Sequence, residues 1–505
     1  MDSSAPRSPE NTPFEGISFD NSYARLPEMF HARMPPVPVA GPSLIRLNES
    51  LAESLGLDPD ALASSEGVQM LAGNRPAAGA DPVAMAYAGH QFGNFVPQLG
   101  DGRALLLGEV VDPAGVRRDI HLKGAGATPF SRGGDGRSSI GPVVREYLAC
   151  EAMAALGIPT TRALAAIATG ETVMRRQPEP GGILVRVAQS HVRIGTFEYF
   201  ARRGDVESVR RLADYVIDRH YPELADSDRR YQGLFEAVIE RTAELVARWM
   251  LVGFVHGVMN TDNTSLVGET IDYGPFGFID AFDPTTCYSS IDRNGRYAWN
   301  RQPGIAQWNL ARLGECLLGF FADREEPAIE QANALLEQFP ACYQRHFNAG
   351  LVAKLGIAEP REGDAELGVD LLERMHANSA DFTLTFRGLG QLDPDDAGGD
   401  GPVRELFDDP AAFDEWAARW RARVAAEARD AADRKAAMRV VNPAIILRNH
   451  LAQQAVDAAI EDLDFGPMHR LHEALARPFE DLPADSEYAR PPRPEERVTE
   501  TFCGT

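Results

Sequence analysis

Apolar positions along the first part of the chain follow no sustained period. Residues 21–80 mix Pro-rich stretches, such as Pro35 to Pro42, with one helix predicted at residues 47–55, and read as an irregular wrapping segment. The pattern then turns strand-like. Residues 104–111 (ALLLGEVV) and 116–123 (VRRDIHLK) flank Asp112-Pro113-Ala114-Gly115, a cluster of turn formers that predicts a hairpin. Glycines bracket this hairpin, at Gly100 and Gly102 before it and at Gly124 and Gly126 after it, where backbone can approach a ligand closely. Residues 140–156 have helical spacing, with Val144, Leu148 and Ala152 on one face and Glu146 and Glu151 off it, until Gly157-Ile158-Pro159 stops the helix. Two more strand-like runs, 163–167 and 182–187, complete a small sheet.

The remainder is mostly helical. Periodic helices are predicted at 206–220, 231–255 and 304–321, the last with Ala306, Leu310, Leu313, Leu317 and Phe320 at spacings of four and three. Beyond residue 350 come an acidic loop (Asp393, Asp395, Asp396, Asp400), an Ala/Arg/Glu-rich helix at 413–440, a final helix at 444–461 and a Pro-rich tail. There is no internal repeat. A sheet followed by helices predicts an α+β fold. The expected division is an N-terminal wrapping segment (1–80), a small β-rich lobe (81–200), a helical lobe (201–350) and a helical C-terminal extension (351–505).

Composition narrows the function. The 505 residues carry 50 Lys and Arg against 74 Asp and Glu, a formal net charge of -24, which argues against broad binding to nucleic acid or an anionic membrane. A polyanion must then be held by a local basic pocket. Five scattered cysteines (Cys150, Cys287, Cys316, Cys342, Cys503) without C-x-x-C spacing suggest neither a disulfide framework nor a zinc site. No window reaches the ~20 apolar residues of a membrane span, and the acidic first 20 residues lack the apolar core of a signal peptide, so a cytoplasmic protein is expected. The histidines show no ligand-like spacing and are read as structural.

The chemistry concentrates in HGVMNTDNTSLVGETIDYG, residues 256–274. Against the kinase pattern H-R-D-x-x-x-x-N followed by D-F-G, His256 falls on the His, Asn263 on the metal-binding Asn, and Asp272-Tyr273-Gly274 on the metal-binding turn. Val258 falls on the catalytic Asp, and a valine cannot accept a proton. Either the chain is inactive or its chemistry rests on another acid, of which Asp262 is the nearest. Lys123 at a strand end suits nucleotide phosphates, and Glu146 on the next helix can orient it. Asn263 and Asp272 offer hard oxygens for a divalent metal. The order of these pieces predicts a protein-kinase-like bilobed fold. Two additions lie outside an ordinary kinase: the Gly-rich loop SRGGDGRSS at 131–139, and Arg186 with Arg193, which join Arg103 to put three guanidinium forks at one cleft.

Longer strings carry a resemblance to a known family. YAGHQFGNFVPQLGDGRALLLGE (87–109), HLKGAGATPFSRGGDGRSS (121–139), HGVMNTDN (256–263), DYGPFGFIDAFDP (272–284), NPAIILRNHLAQQA (442–455) and the near-terminal Cys503 resemble the selenoprotein O family, kinase-like proteins that transfer AMP instead of phosphate. The resemblance implies ATP bound in a flipped orientation at Gly100, Gly102, Arg103, Lys123, Asp135, Gly136, Arg186, Arg193 and Asp272, with pyrophosphate leaving. It further implies Mg²⁺ or Mn²⁺ at Asn263 and Asp272, Asp262 as proton acceptor, Ser, Thr or Tyr hydroxyls of other proteins as acceptors, and UMP transfer with manganese. Cys503 stands where eukaryotic members carry selenocysteine, and a redox pair with Cys287 is the candidate pairing. Two other readings stay open on the residues alone: a true kinase, and a nucleotide-binding scaffold without catalysis.

Overall fold

The computed structural model describes residues 14–481, 483 and 486–501. Its centre is an antiparallel sheet built from β1 (His31–Arg33), β2 (Ser43–Leu47), β3 (Val83–Met85), β6 (Ala104–Val111), β7 (Arg117–Lys123), β8 (Ser138–Ser139), β9 (Arg162–Met174) and β10 (Pro178–Ala188), in the order β1-β3-β6-β7-β10-β9-β2 with β8 against β10. A separate hairpin, β4 (Gly89–Gln91) and β5 (Asn94–Val96), stands beside it. The predicted hairpin forms with Ala104 opposite Lys123. The wrapping segment also supplies β1 and β2, short strands that the Pro-rich pattern did not announce.

Alternation along β7 decides what each face of the sheet does. Ile120 and Leu122 enter one apolar core with Leu105, Leu164 and Val185, covered by residues from the first 80 such as Leu51 and Leu71. Asp119, His121 and Lys123 point to the other face, as does Arg186, which pairs in register with His121. That face meets the helix Ile140–Ala155.

This helix departs from its amphipathic reading. Its other side is covered by helices Asn449–Glu461 and Gly466–Leu475, so it is buried nearly all round, Glu146 and Glu151 included. Both acids are paired: Glu146 with Lys123 and Arg186, Glu151 with Arg162. Burying a carboxylate without a partner is costly, so these positions on an apolar helix mark ion pairs.

The helical half contains Val206–His220, as predicted, then Arg230–Leu251 and Gln302–Leu317. Two C-terminal predictions need correction. The single helix expected at 413–440 is two, Pro410–Val424 and Ala431–Arg439, because the Asp430 side chain caps a new start by accepting from the Ala432 N–H at 2.7 Å. The helix expected at 444–461 begins only at Asn449, and Gly466–Leu475 follows it. Among the described residues no helix is long and apolar enough to cross a membrane.

Lys354 ends the helix Phe339–Lys354 in the interior, 3% exposed, with its ammonium 4.4 Å from the Phe386 ring centroid. Burial pushes its pKa from the ordinary lysine value down to about 7. A lysine that is harder to protonate in the folded state opposes folding. That penalty is complete below pH ~7 and vanishes above ~10.5, so stability from this group rises with pH across that window. Lys354→Met is expected to stabilise the protein by about 1–3 kcal/mol at neutral pH, less than the full shift because the cation–π contact is lost. Thermal melts at pH 7 and pH 10 check this, the gain shrinking at the higher pH.

Candidate active site

A cleft of about 370 Å³ lies where the sheet meets the helical half. Lys123, Arg186, Gly102, Arg103 and Arg132 line it from the sheet side, and Val258, Asp262, Asn263 and Asp272 from the other.

Asp272 is the electrostatic centre. Arg186 Nη1 donates to its Oδ1 at 2.6 Å, Arg193 Nη1 donates to its Oδ2 at 2.9 Å, and Lys123 Nζ lies 3.7 Å from Oδ1. Burial alone would raise the pKa of this carboxyl, but Arg186, Arg193 and Lys123 reverse that and hold it well below the ordinary range. Its backbone is left-handed, φ 57°, a conformation aspartate tolerates better than most residues. Lys123 donates to Glu146 Oε2, and Arg186 also reaches Glu146 Oε1 at 3.3 Å, so the ion pair predicted for Lys123 is present and extended. His121 fixes the second arm of Arg186: Nη2 donates to His121 Nδ1 at 3.0 Å, which leaves Nε2–H to donate to Asp101 at 3.2 Å.

Asp262 has the opposite environment. It is 7% exposed on the short 3₁₀ turn Thr261–Asn263, and its Oδ1 has no hydrogen-bond partner. Burial pushes its pKa up to about 7, against the opposing pull of Arg193. The turn is approached closely on two sides: a Cβ on Gly89 would lie 2.5 Å from Asp262 Oδ1, and one on Gly195 would lie 3.2 Å from Asp262 Cα. Arg193 Nη1 donates to the Asp262 carbonyl at 2.9 Å and its guanidinium stacks on Tyr87 at 4.4 Å. His256 braces the loop, its Nε2 donating to the Ile271 carbonyl at 3.0 Å.

The metal candidates fit a hard divalent ion. Asn263 and Asp272 share the cleft, Asn263 Nδ2 donates to the Val258 carbonyl at 3.0 Å, and its Oδ1 is thereby the atom left to ligate. Among the described residues no group of three or more His, Cys, Asp or Glu could hold a metal. Two protein oxygens, with the rest from water and phosphate, suit Mg²⁺ or Mn²⁺.

The remaining predicted residues sit apart from the cleft lining. Gly100 (φ 74°) and Gly136 (φ 66°) are buried in tight packing, where a Cβ would come within 2.3 Å of the Phe130 ring and 2.1 Å of the Gly126 backbone respectively. Asp135 is exposed and paired with Arg175 at 2.9 Å. Cys287 is half-buried, its thiol donating to Asp292 at 3.4 Å, and burial pushes its pKa up to about 11. Cys503 lies outside the described residues, while Thr501 pairs with the Cys287 loop, its N–H donating to the Tyr288 carbonyl at 2.8 Å.

Sequence reasoning missed Tyr87, Gln91, Phe92 and Asn260, which also line the cleft. Three of them lie in the glycine-containing string YAGHQFGNF, whose close-packed Gly89 was a legible signal. The string at 442–455 serves a structural purpose: Arg448 pairs with Asp280 and Asp381, each at 2.6 Å, and Asn449 takes both the N–H and the carbonyl of Phe278.

The family described as protein adenylyltransferase SelO matches residues 13–476. Proteins named protein nucleotidyltransferase YdiU are similar throughout: 62% identity in Alkalilimnicola ehrlichii over 96% of this chain and 98% of the relative, and 60% in Rhodopseudomonas palustris strain BisB5 over 96% and 99%. A Bradyrhizobium sp. relative of the same name is 60% identical over the same shares. With a cationic cleft, two carboxylates of opposite character and matches of this extent, the chain belongs to the SelO family of protein adenylyltransferases and is a nucleotidyl-transferring enzyme.

Proposed function

We propose that the chain transfers AMP from ATP to a Ser, Thr or Tyr hydroxyl of a target protein. The observation that carries this reading is the contrast between the two cleft carboxylates: Asp272 accepts from Arg186 and Arg193 with Lys123 beside it, whereas Asp262 is buried with its Oδ1 unpartnered, and burial pushes its pKa up to about 7. Neighbouring acids pushed apart in this way divide the labour of charge binding and proton transfer. Asp262 takes the acceptor hydroxyl proton, the acceptor oxygen bonds to the α-phosphorus, the bond from that phosphorus to the β-bridging oxygen breaks, and pyrophosphate leaves with the electron pair. Lys123, Arg186 and Arg103 balance the triphosphate charge at the cleft, with Arg193 behind Asp272 and Gly102 in the cleft wall; nucleotide contacts of Gly100, Asp135 and Gly136, which stand apart from the lining, rest on the family resemblance alone. A Mg²⁺ or Mn²⁺ ion at Asn263 and Asp272 would supply further neutralisation, manganese also supporting UMP transfer.

The two halves around the cleft suit a kinase-like bilobed arrangement with the nucleotide flipped, so that the α-phosphate faces the acceptor. Val258 disfavours a true kinase, since no acid occupies the kinase base position, and a non-catalytic scaffold leaves the poised Asp262 unexplained. Intact-mass measurement of a modified acceptor protein tests the reading: a gain of AMP is expected, and a gain of one phosphate would overturn it.

A further inference from the structure

Asp262 is singled out above as the proton acceptor, yet its Oδ1 has no hydrogen-bond partner, and Gln91 of the β4–β5 hairpin is the side chain that bonds its carboxyl. Its position must come from its neighbours. Immediately before it, Thr261 is fully buried, and its hydroxyl is used in both directions. Thr261 Oγ1 donates to Glu198 Oε2, and it accepts from the His90 N–H at 2.7 Å. His90 closes the ring through its Nδ1, 2.5 Å from Glu198 Oε1. Glu198 is 1% and His90 7% exposed, so neither acid nor imidazole has water to exchange for these partners.

Three separate elements meet in this ring: the β4–β5 hairpin, the helix Ile194–Ala201 and the catalytic turn. Asn260 adds a second rivet one residue earlier, its Oδ1 accepting from the Phe92 N–H at 3.1 Å and from the Tyr297 hydroxyl at 2.7 Å. Trp308 packs edge-on against His90, with ring centroids 5.2 Å apart, and closes the outer side. None of Thr261, Glu198 or His90 lines the cleft. Their effect on chemistry therefore passes through the segments they hold, the turn Thr261–Asn263 and the hairpin whose Gln91 and Phe92 line the cleft.

We propose that Glu198 and His90 form a clamp that grips Thr261 and thereby aims the Asp262 carboxylate at the acceptor hydroxyl. They are positioning residues for the transfer step, and the proposal rests on Asp262 acting as the base. Small misplacements of a reacting group cost heavily in rate, whereas Lys123 and Arg186 are anchored on Glu146 and Asp272, outside this ring.

The test is a set of turnover and ATP-affinity measurements on the full chain. Thr261→Val, which keeps the shape and removes the hydroxyl, is expected to lower kcat about ten- to hundredfold with ATP affinity within about twofold. Glu198→Ala should do the same. The double variant should lose little more than the worse single one, because both changes break the same ring. Thr261→Ser restores the hydroxyl and should recover most of the turnover lost in Thr261→Val, a rescue that a packing role would not give. Parent-like kcat in Thr261→Val, additive losses in the double variant, or a loss confined to ATP affinity would each overturn the clamp. Asp262→Ala, measured alongside, separates the two ideas. If it labels like the parent, the base reading falls and the clamp with it; if it is inactive while Thr261→Val is not, only the clamp falls.

Discussion

Asp262→Ala is expected to lower AMP transfer by about 10²- to 10⁴-fold, the range typical of losing a general base, while ATP binds nearly as before. The separation follows from the geometry. Asp262 makes no ion pair among the described residues; its carbonyl, which the variant keeps, is what Arg193 holds, and the cations proposed to bind phosphate are anchored instead on Asp272 and Glu146. Removing a buried carboxylate with an orphaned oxygen also removes a desolvation cost, so the variant should melt no lower than the parent. Equilibrium binding of ATP and labelling of acceptor protein by α-labelled ATP, run on the same preparation, check both halves. Comparable labelling in the variant would remove Asp262 from the role.

Asp272→Ala should be more damaging and in a different way. Its carboxylate is the shared counter-charge of Arg186, Arg193 and Lys123, and it is a proposed metal oxygen. Without it the three cations face one another, with Glu146 their remaining acid near Lys123 and Arg186. Turnover is expected to fall about 10³-fold or more, with the dependence on divalent metal lost. Breaking a wholly buried pair costs roughly 3–5 kcal/mol, and the 22% exposure of the Asp272 side chain places this variant below that range. The melting temperature should therefore drop in the free protein and recover in part when ATP is added, because the triphosphate replaces the missing anion. A variant that keeps the parent's metal response would contradict the assignment.

How far the sequence reached can be argued residue by residue. The hairpin of β6 and β7 was legible because turn formers separate two apolar runs, and Lys123, Glu146, Asn263 and Asp272 were legible because their order along the chain is itself a pattern. The break at Asp430 was hidden by continuous Ala/Arg/Glu composition, which gives no periodic signal for where one helix stops. Glu146 and Glu151 lay off the apolar face by spacing, which cannot show that helices from residues 449–475 return to bury the rest of that helix. The hairpin carrying Gly89 and His90 was the largest omission. Its contact with the turn Thr261–Asn263 spans 171 residues from His90 to Thr261, and Gly89 signals a close approach without saying to what.

The central claim is that the attacked phosphorus is α. Parallel incubations with α-labelled and γ-labelled ATP, in Mg²⁺ or Mn²⁺, with the chain itself and an extract of proteins as acceptors, test it most directly. Label entering protein from the α position alone, and lost in Asp262→Ala, is the predicted result; label entering from the γ position would contradict the account.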